Sequence, residues 1–194
     1  MELAPTTELE AVNEMLKAIG EIPVNTLDDL GFTDAAIARD TLRTKWRELL
    51  TRGWYFNRDS DYTFTPAADG RAVLPPNVMA VLPSNLEERT IVPRNGLLWN
   101  ATDRTDTYAQ DSGPTMNVVW LFDFKNLPES ARRLITVRAV TKFQTDQQGS
   151  EVNYKFTQDD ERFALSTLLT EERLYEPKAN MFNDSTDVSE VIER

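Results

Sequence analysis

The chain contains no cysteine and no histidine in 194 residues. Without cysteine there is no disulfide, no thiolate metal site and no thiol nucleophile. Without histidine, every catalytic triad built on an imidazole base is excluded. General acid–base chemistry near neutral pH would then fall to a shifted carboxylate or a lysine. Glycine is scarce, with 7 residues, and none forms the glycine-rich loop that cradles a phosphate. Long apolar runs are missing too. Nothing approaches the ~20 residues that span a bilayer, so no membrane anchor is expected. The opening MELAPTTELE has no basic stretch followed by an apolar one, so no secretory signal peptide is expected.

Positive charge is in short supply. Lys and Arg total 21 against 32 Asp and Glu, a net charge of -11. A sequence-independent grip on nucleic acid needs basic surface, which this balance disfavours. An acidic wall past which DNA slides without sticking is still compatible with it. Hydrophobic residues make up 40%, which fits an ordinary soluble protein. The length suits one large domain, or a core domain with an insert.

The most informative stretch is ARDTLRTKWRELLTRGWYFN, residues 38–57. Ala38, Leu42, Trp46, Leu49 and Leu50 recur at helical spacing. Gly53 stands where a helix C-cap belongs, and Trp54–Phe56 read as the first β-favouring run. Before it, a first helix is predicted over Glu8–Ile19. Thr7 and Glu10 form a capping box, and Gly20 ends the helix. Thr33 is the expected N-cap of the second helix, which ends near Arg52.

From Trp54 to Phe124 short β-favouring runs alternate with turn residues. They are Trp54–Phe56, Tyr62–Thr65, Arg71–Leu74, Val78–Leu82, Thr90–Val92, Leu97–Trp99 and Met116–Phe124. Asn95-Gly96 predicts a hairpin, because both residues accept the positive φ of a type I′ turn. Asp103–Pro114 reads as an exposed polar loop. Pro128 at the first helical position, beside Glu129, predicts a third helix. Its inner stripe is Ala131, Ile135, Ala139 and Phe143. A fourth helix, capped by Ser150, is expected to reach about Tyr175 with Val152, Phe156 and Phe163 facing inward.

The expected fold is therefore α+β: a helical bundle from N- and C-terminal helices with an inserted antiparallel β block. The expected division is 1–53 for the N-terminal bundle helices, 54–126 for the β block and 127–176 for the C-terminal bundle helices. Residues 177–194 form an extended arm, too poor in apolar residues to fold alone.

Catalytic signatures are missing. Neighbouring carboxylates occur at Asp28-Asp29, Glu87-Glu88, Asp159-Asp160 and Glu171-Glu172. Adjacent helical residues point about 100° apart, so adjacency is no sign of an acid pair facing across a cleft. Asp59-Ser60-Asp61 begins like a calcium loop but lacks its Gly and closing Glu, and reads as a turn. No catalytic, cofactor or metal residue is assigned. Trp46, Trp54, Trp99 and Trp120 lie in apolar runs and read as core rather than a stacking platform. Basic residues gather on the second and third helices, and acidic ones after Phe156. They are either solvated faces of one bundle or complementary faces of neighbouring subunits. In the tail, Met181-Phe182 is an apolar pair among polar residues. It is either incidental or the anchor of an arm that docks on a neighbour.

Several stretches together carry a resemblance: AVNEMLKAIGEIPVNTL (11–27), RGWYFN (52–57), DRT and DSG (103–105, 111–113), VVWLFDFKNLPE (118–129), and Asn180-Met181. Their number and order resemble the tail tubular A adaptors, or gatekeepers, of short-tailed phages of the T-seven type. The resemblance implies a structural protein of the virion tail, assembled in the host cytoplasm. It implies a dodecameric head–tail connector ring between the portal and the nozzle, tail tubular protein B. Tail fibres would attach near that junction, and genomic DNA would pass through the lumen during ejection. It also favours Met181 and Phe182 as partner-interface residues. An alternative of another class is a carboxylate-based glycan hydrolase acting on a host capsule. A third is a connector from another tailed-phage type.

Overall fold

A computed structural model describes residues 4–28, 33–148 and 151–175, with side-chain surroundings for all of these except 148 and 151–157. In chain order the elements are α1 (Glu8–Ile19), α2 (Asp34–Thr51), β1 (Arg58–Thr63), β2 (Val78–Pro83), β3 (Ile91–Arg94), β4 (Leu97–Asn100), β5 (Thr115–Trp120), α3 (Glu129–Gln148) and α4 (Glu151–Tyr175). Helices thus flank a β block, the α+β bundle-with-insert arrangement the sequence implies.

Local chemistry sets the helix ends. The Thr7 hydroxyl accepts from Glu10 N–H at 3.2 Å, and the Glu10 carboxylate accepts from Thr7 N–H at 2.8 Å. This reciprocal pair satisfies two donors that α1 leaves open. Gly20 closes α1 at φ 85°. α2 ends at Thr51 with Arg52 as its C-cap, and Gly53 follows at φ 75° with its N–H on the Leu50 carbonyl. Pro128 stands immediately before α3 rather than inside its first turn, and its carbonyl accepts from Arg132 N–H.

α3 is the centre of the bundle. It packs against α1, α2 and α4, so the stripe Ala131, Ile135, Ala139 and Phe143 is only part of what it buries. Leu134, Thr136, Val137 and Val140 are buried as well. With neighbours on several sides, one apolar stripe cannot describe such a helix. The bundle core joins these residues to Val12, Met15 and Leu16 of α1, Leu42, Leu49 and Leu50 of α2, and Ala164 and Leu168 of α4.

α4 departs from its expected register. Phe163 points outward and is 75% exposed, whereas Ala164, Leu168 and Glu172 face the bundle. Neighbouring positions differ by about 100° around a helix. The spacing of four from Ala164 to Leu168 to Glu172, with the small alanine allowing close approach to α3, outweighs the bulk of Phe163. Val152, Phe156 and the cap Ser150 lie outside the described side chains.

The β block forms two sheets. β1, β5 and β2 make an antiparallel sheet in that order, and β3 and β4 form a separate hairpin. Asn95 (φ 51°) and Gly96 (φ 74°) make the hairpin turn between Arg94 and Leu97 as expected. A second core lies here: Phe64, Ala72, Ile91, Leu98, Met116, Val118 and Trp120, with Phe122 packed against both cores.

Three expectations are corrected. Trp54–Phe56 is not a strand. It is a turn closed by Asn57 N–H on the Trp54 carbonyl at 3.0 Å. Its aromatic rings serve the bundle instead of a pleated surface. Arg71–Leu74 makes only isolated bridges, Arg71 to Thr107 and Val73 to Leu97. Asp59-Ser60-Asp61 lies within β1, where the pairing with β5 shifts between Asp59 and Tyr62 and Asp61 adopts φ 54°. The loop over Asp103–Pro114 is largely exposed, as its polarity implies.

Candidate functional site

The carboxylate pairs are held by structural partners or left at the surface. Asp28 accepts from the Thr26 hydroxyl, while Asp29 lies outside the described residues. Glu88 accepts from Thr115 N–H at 3.2 Å, and Asp159 pairs with Arg162 at 3.4 Å, both of those groups being exposed. Among the described residues no cluster of three metal-ligating side chains occurs.

Glu171 and Glu172 form a clamp. Glu172 is 7% exposed and accepts from Tyr55 N–H at 2.8 Å. Glu171 accepts from the Tyr55 hydroxyl at 3.1 Å and from the Ser130 hydroxyl. Arg58 approaches Glu172 at 4.0 Å, and Tyr175 stacks on Tyr55 with centroids 4.4 Å apart. The last two turns of α4 are thereby fastened to the 52–57 turn and the start of α3. The two side chains work because one faces inward and the other sideways, which is the opposite of a catalytic pair sharing a cleft.

Burial first, then the adjacent Glu171 carboxylate, push the Tyr55 phenol up to about 12 from its ordinary 10.0. The folded state therefore holds this proton more tightly than the unfolded chain. The contribution to stability is complete below the unfolded value of about 10 and disappears as the pH rises through about 12. Thermal melts of the wild type and Tyr55→Phe across that window are expected to converge as the tyrosine ionises. Parallel curves would show that the clamp does not sense the phenol.

The tryptophans are divided between cores rather than gathered on a platform. Trp54 is 1% exposed and donates its indole N–H to the Leu49 carbonyl at 2.8 Å. Trp120 donates to Asp59 at 2.8 Å. Trp99 is half-buried beside Arg94. Trp46 packs edge-on against Phe124 at 5.9 Å, and its buried indole nitrogen has no hydrogen-bond partner among the described residues.

Much of the segregated charge pairs within the chain. Arg43 meets Glu8 at 3.1 Å, Arg133 meets Glu14 at 2.7 Å, and Arg138 meets Glu161 at 2.8 Å. The side chains of Arg47 and Lys125 have no such partner among the described residues, and both line a cavity of about 530 Å³ with Arg43, Trp46, Leu121 and Phe124. Composition could not reveal this cavity, because its walls come from α1, α2 and the segment before α3.

A second surface lies on α4. Phe163 and Leu174 are 75% and 76% exposed. They are eleven residues apart, about three turns, and so share the face opposite the core. Between them Ser166 and Thr167 bond the Phe163 carbonyl and Thr170 bonds the Ser166 carbonyl. These hydroxyls are turned onto the helix, leaving a face low in charge. The partner-interface residues Met181 and Phe182 lie outside the described residues.

Three of the quoted stretches, 11–27, 52–57 and 118–129, fall on joints rather than on a reactive centre, and Asn180-Met181 lies outside the described residues. Asn13 donates to the Val24 carbonyl at 2.9 Å and accepts from Val24 N–H at 2.8 Å, fixing the chain after α1. The RGWYFN and VVWLF stretches meet where Asn57 donates to the Trp120 carbonyl at 2.8 Å. Sequence reasoning passed over Asn57. The available signal was a lone amide closing an aromatic run.

Comparison with known proteins agrees with this structural role. A family model described as tail tubular protein matches residues 9–177. Tail tubular protein A of Klebsiella phage KP34 is 30% identical over 162 residues, which is 83% of this chain and 84% of that protein. The chain therefore belongs to the tail tubular protein family, structural components of the phage tail in the virion.

Proposed function

We propose that this chain is the adaptor of a short phage tail, a dodecameric ring between portal and nozzle, whose lumen carries the genome outward and beside which the tail fibres attach. The family match across residues 9–177 carries this reading. The net charge of -11 supports a passage that DNA traverses without specific binding. The function requires no chemical step, cofactor or metal. Residues 1–53 and 127–176 supply the bundle, 54–126 the β insert, and 177–194 an arm anchored on a neighbour through Met181 and Phe182. Burial of each anchor contributes roughly 1.5–3 kcal/mol before ordering costs, and repetition around a ring multiplies the engagement.

Native mass measurement and electron microscopy of the protein, alone and with portal, test the assignment. Twelve-subunit rings bound to portal are the expected result. A chain that stays monomeric beside portal overturns it. So does submicromolar binding to duplex DNA with a steep salt dependence.

A further inference from the structure

We infer that the cavity bounded by Trp46, Arg47, Phe124 and Lys125 is the socket for the C-terminal arm of the adjacent copy. This inference rests on the ring reading above. The cavity, about 530 Å³, lies within the size range of sites that enclose a ligand. Its walls have two characters. Leu121, Phe124 and the Trp46 ring are apolar; of the charged lining, Glu8 is paired with Arg43 and Asp123 adds one exposed carboxylate, while Arg47 and Lys125 present positive charge without an ion-pair partner among the described residues. The occupant suited to such walls offers apolar side chains and negative charge.

The arm has that composition. Residues 176–194 hold five acidic side chains against two basic ones, with Met181 and Phe182 followed closely by Asp184 and Asp187. Met181 and Phe182 suit the apolar wall, and the two aspartates suit Arg47 and Lys125. These 19 residues span up to about 60 Å when extended, so reach is not limiting.

Position favours a neighbour over the same chain. α4 is fastened to α3 at Ser130, through Glu171. The cavity side of α3 is marked by Arg132, whose guanidinium bonds the Thr6 and Lys125 carbonyls. Ser130 and Arg132 are two residues apart, about 200° around the helix. α4 therefore ends on one side of α3 and the socket opens on the other, at the same level along the bundle. Two different surfaces so placed make a head-to-tail contact, the kind that closes into a ring.

The absence of cysteine makes the test clean. Full-length Asp123→Cys, at the socket rim, is mixed with full-length Asn183→Cys and oxidised under assembly conditions. A disulfide-linked heterodimer is expected, with none when Asp103→Cys replaces the rim variant. Equal linkage to the control position overturns the assignment, as does a double variant that closes only within one chain. Linkage of the rim cysteine to portal instead of the arm does so too. In parallel, Arg47→Glu with Lys125→Glu is expected to lower the ring population at least tenfold. Asp184→Lys with Asp187→Lys in the same protein should restore it. If the wild type forms no ring, the ring reading and the socket fall together. If deleting residues 178–194 abolishes rings while the socket variants assemble normally, the socket alone is wrong.

Discussion

Asn57→Ala is expected to destabilise the protein by roughly 3–5 kcal/mol, a large part of the total for a domain this size. The side chain is 1% exposed and makes three bonds in three directions. Its oxygen accepts from Trp54 N–H at 2.7 Å, and its amide donates to the Leu50 carbonyl at 3.0 Å and the Trp120 carbonyl at 2.8 Å. Alanine removes all of them and strands the Trp54 N–H in the interior. An unpaired buried group costs about 1–3 kcal/mol, and each further bond lost adds about 0.5–1.5. Asn57→Asp keeps the acceptor but loses both donors and buries a charge, so it should be no milder. Urea unfolding followed by tryptophan fluorescence measures both. A loss below about 1 kcal/mol for alanine would mean that water replaces the amide.

Gly113→Ala is expected to cost about 3 kcal/mol or more, at the top of the range for overpacking. A Cβ placed there overlaps the Phe64 carbonyl oxygen and meets the Phe64 carbonyl carbon at 2.9 Å. These are backbone atoms, and Phe64 N–H is tied to the Pro114 carbonyl at 2.9 Å. The two segments, just beyond the ends of β1 and β5, must separate, which withdraws Phe64 from the β core. Gly96→Ala is the control. It has open space around it but φ 74°, so it carries only the left-handed penalty of about 1–2 kcal/mol. Hydrogen exchange should show the Gly113 variant opening the β block before the bundle. Equal costs for the two glycines would show that the backbone near Phe64 yields.

Elements governed by neighbours in sequence were legible. α1 has its predicted bounds because cap, stripe and terminating glycine are all local. The Asn95-Gly96 hairpin is equally local. Trp54–Phe56 misled because β propensity reflects packing on a sheet, and these rings found a bundle first. The face of α4 was misread because bulk suggested Phe163, whereas close approach to α3 depends on small Ala164 and on the clamp at Glu172. That clamp joins residues more than a hundred positions apart, a distance at which spacing rules carry no information. The cavity beside Trp46 was hidden for the same reason, since Arg47 and Lys125 are remote in sequence and come to line it only after folding. Family membership was legible because the quoted stretches are spread along most of the span that the family model matches, residues 9–177.

The irregularities of the small sheet also guard it against adventitious strand addition. β1 and β2 are its two outer strands, each offering a row of unpaired peptide groups to any passing chain. β1 carries arginine, aspartates and serine, every residue exposed, and its bulge turns the edge away from flat pairing. β2 terminates in Pro83, and Pro93 interrupts the hairpin beside it. A foreign strand therefore meets charge and curvature along β1 and a proline at the end of β2. A population of free subunits is thus protected from fibrillar self-association while it waits to be incorporated.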